Sequence, residues 1–408
     1  MLFGLISGHV NDAAIGFVLA FARALQRYGT PAHRLEEAIV KVCRSLGLEA
    51  EAFTTPTAIV MSFGQHHELR TRMMRVEGGE MDMGKLERID ALGDHVIEHT
   101  ISPQEATEML AQIIASRPRF NRALSTLVHG VTAGALAVFF GGTLPDVLLA
   151  GGIGLALGLL AQLLARSTDQ TRVFELVGAA VASFAAGVAS AWSPKVSPSL
   201  VTLAALVILL PGHSLTVAMT ELATRNLIAG TARLMSAVIV LLELVIGVAL
   251  GDKGANALVH VRIGIPGPLP ELANWIALVA SSLGVSVLVQ AQPRAFGWIL
   301  GGCVVGYAGS RYGTAVLGPQ MGVMLGAFAL GVVSNFYARL LDRPAQVVSV
   351  PAMLLLVPGS MGLRGMTSLL DKETLTGIET VFAMFIVATA IVAGLLVANA
   401  VMSPRRSL

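Results

Sequence analysis

Two Pro-Gly dipeptides are the residues best suited to bind a ligand, because each ends a short apolar run and polar side chains follow it. They lie in LILLPGHSLTVAMTELATRN and MLLLVPGSMGLRGMTSLL. Proline lacks a backbone donor and the next glycine permits strained dihedral angles, so amides and carbonyls lose their intrahelical partners and must face protein, water or a ligand. The candidate substrate-binding residues are Pro211, Gly212, His213, Ser214, Thr220, Glu221 and Arg225 in the first copy, and Pro358, Gly359, Ser360, Arg364 and Thr367 in the second.

These polar residues provide both kinds of contact that an amino acid or a carboxylate needs. A carboxylate is held by a cation or by free amide N–H groups, and an ammonium group is held by oxygen acceptors. His213, Arg225 and Arg364 supply donors, and the hydroxyl groups supply acceptors. The same pattern also fits a kinked helix, or a helix that ends in a loop, without a ligand.

One acidic residue lies inside a long apolar run and is the predicted proton carrier. Glu243 is part of LMSAVIVLLELVIGVALG. An acid at the centre of a spanning helix costs on the order of 3 kcal/mol on insertion scales, so such residues usually have a function. The alternative is a hydrogen bond to a neighbouring helix or an ion pair with an arginine in the membrane. Glu221 is the second candidate for proton coupling, unless it forms a salt bridge with Arg225 one turn on.

The composition indicates that a membrane surrounds most of these residues. Of 408 residues, 54% are apolar and 13% are charged, and the mean hydropathy is +0.72. Such a chain could hardly form a water-exposed surface. Residues 1–118 carry 26 charged side chains (11 basic, 15 acidic), whereas the other 290 residues carry 28 (17 basic, 11 acidic). The sequence therefore predicts a soluble part over 1–118 and a membrane part after it.

Ten apolar segments follow, and they predict a mainly α fold, a polytopic membrane bundle of about ten helices. A spanning helix needs about 20 apolar residues. The fourth and ninth segments offer only about 12 residues before their Pro-Gly, or about 18 Å of helix, so each crosses only if the helix resumes after the break, and otherwise re-enters. The segments are 122–140, 145–165, 173–192, 199–211, 232–250, 271–290, 295–312, 315–338, 346–358 and 377–401.

Residues 1–118 are predicted to form a small α+β domain. Period-2 and period-3.6 patterns, hydroxyl caps and prolines at first helical turns define its elements. They are an amphipathic helix over 12–28, with a position on the membrane surface as its alternative, and a second helix with Thr30 as its cap and Pro31 at its first position. Two β-forming runs, over 53–63 and 69–76, could pair with each other, and helices follow over 84–99 and 102–116, the last capped by Ser102.

An offset of 147 residues relates the two Pro-Gly copies without a gap and predicts two related five-helix halves, 119–252 and 265–404. The offset pairs the two prolines, the two glycines and, further on, Gly230 with Gly377. Pro118-Arg119 and Pro293-Arg294 form a second pair of anchors. The first half has one extra segment between its anchors, so the Pro-Gly motifs are predicted to approach from opposite sides, as in transporters with inverted repeats.

The distribution of basic residues predicts that residues 1–118 are cytoplasmic, in a multi-pass protein of the bacterial inner membrane. If all ten segments cross, eleven basic residues fall inside and six outside, in agreement with the positive-inside bias. The inner ones are Arg119, Arg122, Arg166, Arg172, Arg225, Arg233, Arg294, Arg339, Arg343, Arg405 and Arg406, and the outer ones are Lys195, Lys253, Arg262, Arg311, Arg364 and Lys372.

Several functional classes are disfavoured. The net charge is +2 and no basic run is interleaved with aromatic residues, so a nucleic-acid partner is not expected. Cys43 and Cys303 lack further partners for a structural metal, and the His and acidic pairs on the helix over 84–99 fit an amphipathic surface better than a metal site. There is no Walker-type loop and no G-x-S-x-G elbow. We therefore predict no cofactor, no metal and no catalytic residue.

The chain resembles the threonine/serine exporter family. The resemblance is carried by RYGTPAHRLEEAIVKVCRSLGLEAEAFTTPTAIVMSF, RPRFNRAL, LLPGHS, QPRAFGWILGGCVVGYAGSRYG and LLLVPGSMG, which together extend over almost the whole chain. The first two thirds look like the larger subunit, and residues 265–402 like the smaller subunit, of a split form proposed to export succinate. The resemblance implies efflux of small polar metabolites driven by the proton motive force, in a naturally fused chain.

Three hypotheses about function follow. The first is an exporter of threonine or serine, an antiporter with the lipid bilayer, the amino acid and protons as its partners. The second is an exporter of succinate, since both ligands carry carboxylates. The third is a membrane-anchored enzyme or regulatory module that uses residues 1–118, although ten segments with an internal repeat exceed what an anchor needs. The oligomeric state stays open, a homo-oligomer included.

Overall fold

The chain is mainly helical in a computed structural model that describes residues 2–64, 69–79, 81–164, 173–262, 264, 267–356 and 359–403. We call residues 2–116 the N-terminal segment. Its elements are α1 (Leu2–Arg27), α2 (Ala32–Ser45), β1 (Ala50–Thr55), β2 (Ala58–Phe63), β3 (Arg70–Arg75), α3 (Met83–Ile97) and α4 (Pro103–Ala115).

The three strands form one antiparallel sheet in the order β1-β2-β3. The β-forming run over 53–63 contributes to two strands, because Thr55 pairs with Ala58 and the chain turns at Pro56 and Thr57. Proline cannot donate to a central ladder, which explains why the run divides there. The pairing of this run with the one over 69–76 is confirmed, since Phe63 is opposite Arg70.

The caps of the helices in this segment differ from the prediction in one case. Ser102 accepts a hydrogen bond from the Glu105 amide, and the Glu105 side chain accepts one from the Ser102 amide, which completes a capping box. The second helix, in contrast, begins at Ala32, and no side chain of the segment caps it. Thr30 is therefore not its cap, and the acceptor comes from a distant part of the chain, as described below.

Twelve helices follow the N-terminal segment within the described residues. They are α5 (Arg122–Phe139), α6 (Leu144–Leu164), α7 (Phe174–Ser190), α8 (Pro198–Leu206), α9 (Gly212–Ala223), α10 (Leu227–Leu258), α11 (Glu271–Leu288), α12 (Phe296–Leu317), α13 (Pro319–Leu341), α14 (Gln346–Leu356), α15 (Gly359–Leu370) and α16 (Thr374–Val401), with a short 3₁₀ turn over Pro293–Ala295 before α12.

Seven helical stretches among the described residues are long and apolar enough to cross a membrane: α5, α6, α10, α11, α13, the stretch from α14 to α15, and α16. The helix α7 is apolar but shorter. Many large apolar side chains on these helices are exposed, for example Leu148 at 68% and Phe382 at 65%. An apolar exterior of this kind is stable in lipid but not in water.

The N-terminal segment packs on one end of the helices, which we call the docked face. The Met83 amide donates to the Val289 carbonyl (2.9 Å) just after α11, and the Phe120 amide donates to the Gln290 side chain (3.0 Å). Buried apolar side chains continue from this segment into the later helices without interruption, from Phe17 to Tyr337. The opposite end is the far face.

Contacts at the far face join helix ends that the sequence leaves far apart. Asp146, which is fully buried at the start of α6, accepts a hydrogen bond from the Ser197 amide (2.8 Å) just before α8. The Arg262 amide, after α10, donates to Ser190 (3.1 Å) at the end of α7. Asp146 therefore has a structural role, consistent with its position in the first turn of a helix.

Candidate functional site

The first Pro-Gly region separates two helices, and the glycine of the second one is the first residue of a helix. The helix α8 ends at Leu206 and α9 begins at Gly212, while α14 ends at Leu356 and α15 begins at Gly359. Pro358 lies outside the described residues. The first of the two apolar segments that looked too short to cross therefore continues beyond its break.

The two breaks meet inside the bundle. A Cβ atom placed on Gly359 would lie 3.3 Å from the Cα of Gly212 and 3.0 Å from the Cβ of Leu210. Only glycine permits two backbones to approach this closely. Both α9 and α15 begin at this crossing, and Pro211, the residue before α9, makes no side-chain cap. The amides of helix N-termini therefore converge where an anionic group would be stabilised.

Two pairs of residues related by the 147-residue offset make the same contact. A Cβ on Gly230 would lie 2.7 Å from Cγ of Leu222, and a Cβ on Gly377 would lie 2.5 Å from Cγ of Leu369. The half-helix α9 packs on α10 as α15 packs on α16. The glycine–leucine contact and the packing of its two helices are thus the same in both Pro-Gly regions.

A cavity of about 110 Å³ lies between the N-terminal segment and the helices on the docked side of the crossing. A single buried water needs roughly 10–15 Å³ of such space, so the cavity can hold several waters or a small metabolite. Its walls come from the loop before α2 and the start of α2, and from one face each of α9, α13, α14 and α16. The polar residues that line it are His33, Arg34, His213, Thr216, Thr220, Ser334, Asn335, Gln346, Ser349 and Asn399.

Several of these polar groups could bind a ligand. Two buried histidine nitrogens have no hydrogen-bond partner, and two threonine oxygens can still accept a hydrogen bond. His213 is 8% exposed, and its Nδ1 has no hydrogen-bond partner. The Nδ1 of His33 is likewise buried and unpaired. Thr216 and Thr220 donate their hydroxyl protons to carbonyls of their own helix, Gly212 (3.2 Å) and Thr216 (2.9 Å), so their oxygens can still accept.

The start of α2 brings one cation and one neutral imidazole to this cavity. Burial, and then the positive charge of Arg34, lower the pKa of His33 to about 4, so its ring is neutral at pH 7. Burial also lowers the pKa of Arg34, an effect that the charges of Glu37 and Asp90 oppose. The sequence interpretation missed both residues, because nothing in the local pattern indicates that this amphipathic helix contacts membrane helices.

Glu221 links the first membrane half to the N-terminal segment. It is fully buried, and its two carboxylate oxygens accept from Arg233 at 3.0 and 3.1 Å. One of these oxygens also accepts from the Ala32 amide (3.1 Å) and so caps α2 from 189 residues away. The proposed salt bridge to Arg225 is wrong, because Arg225 lies in the turn after α9, exposed and with a φ of 66°.

A second buried carboxylate joins the N-terminal segment to the second half. Glu87 of α3 is 4% exposed and pairs with Arg294 (2.8 Å), before α12, and with Arg343, between α13 and α14. Both arginines contact Oε1 of this buried acid, and these charge-assisted contacts offset part of the cost of desolvating the carboxylate, while its buried Oε2 has no hydrogen-bond partner. The N-terminal segment is thus attached to the docked face by one ion-pair cluster in each predicted half, at Glu221 and at Glu87.

The crossing divides the predicted site residues into two groups. His213, Thr220 and Glu221 lie on α9, on the docked side, and the half-buried Ser214 lies on the same half-helix. Ser360, Arg364 and Thr367 lie on α15 beyond the second break, and the Arg364 guanidinium stacks over the Phe140 ring at 5.2 Å. Thr367 donates to the Leu363 carbonyl. The two groups therefore do not form one continuous pocket and lie on opposite sides of the crossing.

Glu243 is half-buried on α10 and has an acidic neighbour. The charges of Glu243 and Glu175, at the start of α7, interact with each other. The helices α7 and α10 pack closely, since a Cβ on Gly247 would lie 2.7 Å from the Ala179 Cβ. Within the described residues, no group of three or more His, Cys, Asp or Glu side chains could hold a metal ion.

The apolar helices and the seven candidate spans define a multi-pass membrane protein. The family described as "Putative threonine/serine exporter" matches residues 16–253, and a second one, described as "Threonine/Serine exporter, ThrE", matches residues 274–401. Together they extend over most of the chain. The chain belongs to the threonine/serine exporter family, in a form in which both parts are fused.

Several curated relatives of the chain are fungal proteins with the name of a membrane protein. "Pheromone-regulated membrane protein 10" of Eremothecium gossypii is 27% identical over 368 residues, covering 87% of this chain and 49% of the relative. The protein of the same name from Saccharomyces cerevisiae is 27% identical over 369 residues, covering 87% of this chain and 47% of the relative. The chain spans about half the length of these relatives. No solved structure matches the chain.

Proposed function

We propose that the protein is a secondary-active transporter that exports threonine or serine, driven by the proton motive force. The observation that carries the proposal is the close approach of the two Pro-Gly regions at Gly212 and Gly359, with a polar cavity beside it. Transporters bind substrates at such paired breaks, because uncapped half-helix ends supply backbone donors at the middle of the membrane.

We further propose ten membrane crossings in two halves of inverted topology, 119–252 and 265–404, preceded by an α+β domain over 1–118. The α8–α9 and α14–α15 pairs each make one crossing. Contacts with the N-terminal segment support crossings that alternate in direction. They involve the last turns of α9, the end of α11 and the start of α12, so these helix ends lie at the docked face. The corresponding helices are α5 and α11, α6 and α12, α7 and α13, α8–α9 and α14–α15, and α10 and α16.

The N-terminal segment is proposed to lie in the cytoplasm, and the membrane to be the inner membrane of a bacterium. The excess of basic residues at the docked face supports this orientation. Arg294, Arg339 and Arg343 lie there, next to the N-terminal segment or to helix ends that contact it. The cavity beside His213 would then lie on the cytoplasmic side, from which substrate enters for export.

Each predicted site residue has a distinct role in this proposal. Pro211, Gly212, Pro358 and Gly359 open the two helices, and His213, Ser214 and Thr220 bind substrate on the cytoplasmic side. Ser360, Arg364 and Thr367 bind it on the far side after the site has turned outward, and Arg225 attracts anionic substrate at the surface. Glu243, with Glu175 near it, carries the proton. Glu221 couples substrate and proton movement to the docking of α2.

Counterflow in proteoliposomes tests the proposal. Separate sets of vesicles that contain purified full-length protein are loaded with unlabelled threonine, serine or succinate, and uptake of the same compound in labelled form is measured with and without a pH gradient. We expect exchange of threonine and serine, accelerated by the gradient, and none in protein-free vesicles. Exchange of succinate alone would establish the dicarboxylate alternative, and absence of all exchange would contradict transport.

A further inference from the structure

We infer that the N-terminal segment forms part of the ligand site: Arg34 binds the carboxylate of an amino acid, and the neutral His33 forms a hydrogen bond with it. This inference rests on the proposed transport function and specifies the site and its ligand. It is carried by the composition of the cavity wall, since Gly29, Pro31, His33 and Arg34 face α9 across it.

The charge of the cavity determines the class of ligand. Among the described residues that line it, Arg34 is the only one with a charged side chain. Glu37 and Asp90 interact with Arg34, but neither of them lines this cavity. A planar guanidinium binds a carboxylate through two parallel hydrogen bonds, so a ligand with one carboxylate matches the wall. The second carboxylate of succinate would have no counter-charge there.

The neutral groups complete the match to an amino acid. The unpaired Nδ1 atoms of His33 and His213 need a partner, because a buried polar atom without one costs about 1–3 kcal/mol. The hydroxyl oxygens of Thr216 and Thr220 retain their acceptor capacity, as does Ser334, whose proton goes to the Leu330 carbonyl (2.8 Å). These acceptors suit an ammonium group or the hydroxyl of a small side chain.

The wall from the N-terminal segment is held in place by the groups that dock it. Glu221 accepts from the Ala32 amide, two residues before Arg34, and forms its pair with Arg233 at the same time. Arg34 is therefore positioned by a contact that depends on α9, the half-helix that also carries His213. Movement of α9 would alter both sides of the site together.

The test compares threonine with threoninamide, which lacks the carboxylate charge, in equilibrium binding to the purified full chain in nanodiscs. Wild-type protein is expected to prefer threonine by roughly tenfold or more, the range of a charge-assisted hydrogen bond. R34Q is expected to lower this ratio to about one. The matched control is R44Q, which changes an exposed arginine of the same helix and should keep the wild-type ratio.

A second measurement needs no variant. Threonine should slow amide hydrogen exchange over residues 30–36 of wild-type protein, because the ligand would bridge α2 and α9. This assignment is wrong, and the proposed function still stands, if the protein transports threonine but R34Q keeps the wild-type preference for threonine over threoninamide. The same holds if the protein transports threonine but threonine leaves amide hydrogen exchange over residues 30–36 unchanged. Wild-type protein that neither binds nor exchanges threonine, serine or succinate would overturn both. If R34Q does not fold, the exchange measurement decides.

Discussion

Replacement of Glu221 by glutamine tests the link between the membrane helices and the N-terminal segment. Removal of one partner of a buried ion pair typically costs about 3–5 kcal/mol, because the remaining charge is left without compensation. Arg233 is 27% exposed, so water stabilises part of its charge and reduces the expected loss in free energy of unfolding to ~2–3 kcal/mol. Glutamine keeps an oxygen that can still accept from the Ala32 amide, so the cap of α2 is retained.

Glu221→Ala removes the cap as well. The loss of a helix N-cap costs typically ~1 kcal/mol, so the alanine variant should be less stable than the glutamine variant by about that amount. Stability is measured by reversible unfolding of purified protein in mixed micelles of increasing SDS content. Hydrogen exchange at Ala32 separates the two effects, since it should rise in Glu221→Ala but not in Glu221→Gln. Glu108→Gln, at an exposed position of α4, is the control.

A double-mutant cycle with Arg233→Gln decides whether loss of the Glu221–Arg233 pair itself lowers the free energy of unfolding. We expect a coupling energy of ~2 kcal/mol between the two positions, within the range for residues that share one hydrogen-bonded network. A Glu221→Gln variant with wild-type stability would refute the reasoning. Equal effects of Glu221→Gln and Glu108→Gln, or independent effects of the two partners, would refute it as well.

Three further predictions concern transport, packing and pH. Glu243→Gln should abolish proton-driven efflux without reducing expression, whereas Glu379→Gln, at an exposed site on α16, should not; unchanged efflux would remove Glu243 from the mechanism. Gly359→Ala should destabilise by about 1–3 kcal/mol, because its methyl group would lie 3.0 Å from a neighbouring side-chain carbon. Gly301→Ala, where nothing lies within 4 Å, should not destabilise, and equal unfolding midpoints for the two would contradict the crossing. Burial lowers the pKa of His33 from 6.5 to about 4, so the unfolded state binds more protons between these values. Stability is therefore complete above pH 6.5 and falls by up to ~3 kcal/mol towards pH 4, and unfolding of His33→Gln should show a weaker pH dependence.

The sequence was informative where a local pattern determines the structure. A proline followed by glycine at the end of an apolar run predicted the interruption between α8 and α9, because proline breaks the hydrogen-bond ladder in any surroundings. The Ser102 cap and the pairing of the β-forming run over 53–63 with the run over 69–76 are likewise local, and both predictions were correct. Membrane embedding followed from composition alone.

Contacts between distant residues could not be predicted. The cap of α2 was assigned to Thr30, since hydroxyl residues usually cap helices, yet the acceptor is Glu221. Arg34 and His33 looked like residues of a solvated helix face, because helical periodicity identifies a buried side without identifying its partner. The anchors at Pro118 and Pro293 precede helices that both begin at the docked face, so in the proposed inverted arrangement they do not correspond.

Glu87 connects the two parts of the chain that the two exporter family descriptions match separately, since its arginine partners both lie in the part over 274–401. In one continuous polypeptide, the covalent link through the connection between α10 and α11 keeps these partners at a high effective concentration, in the millimolar range for a short linker. A protein cut in that connection would instead have to reassemble from two chains, and Arg294 and Arg343 would then determine which chain binds which.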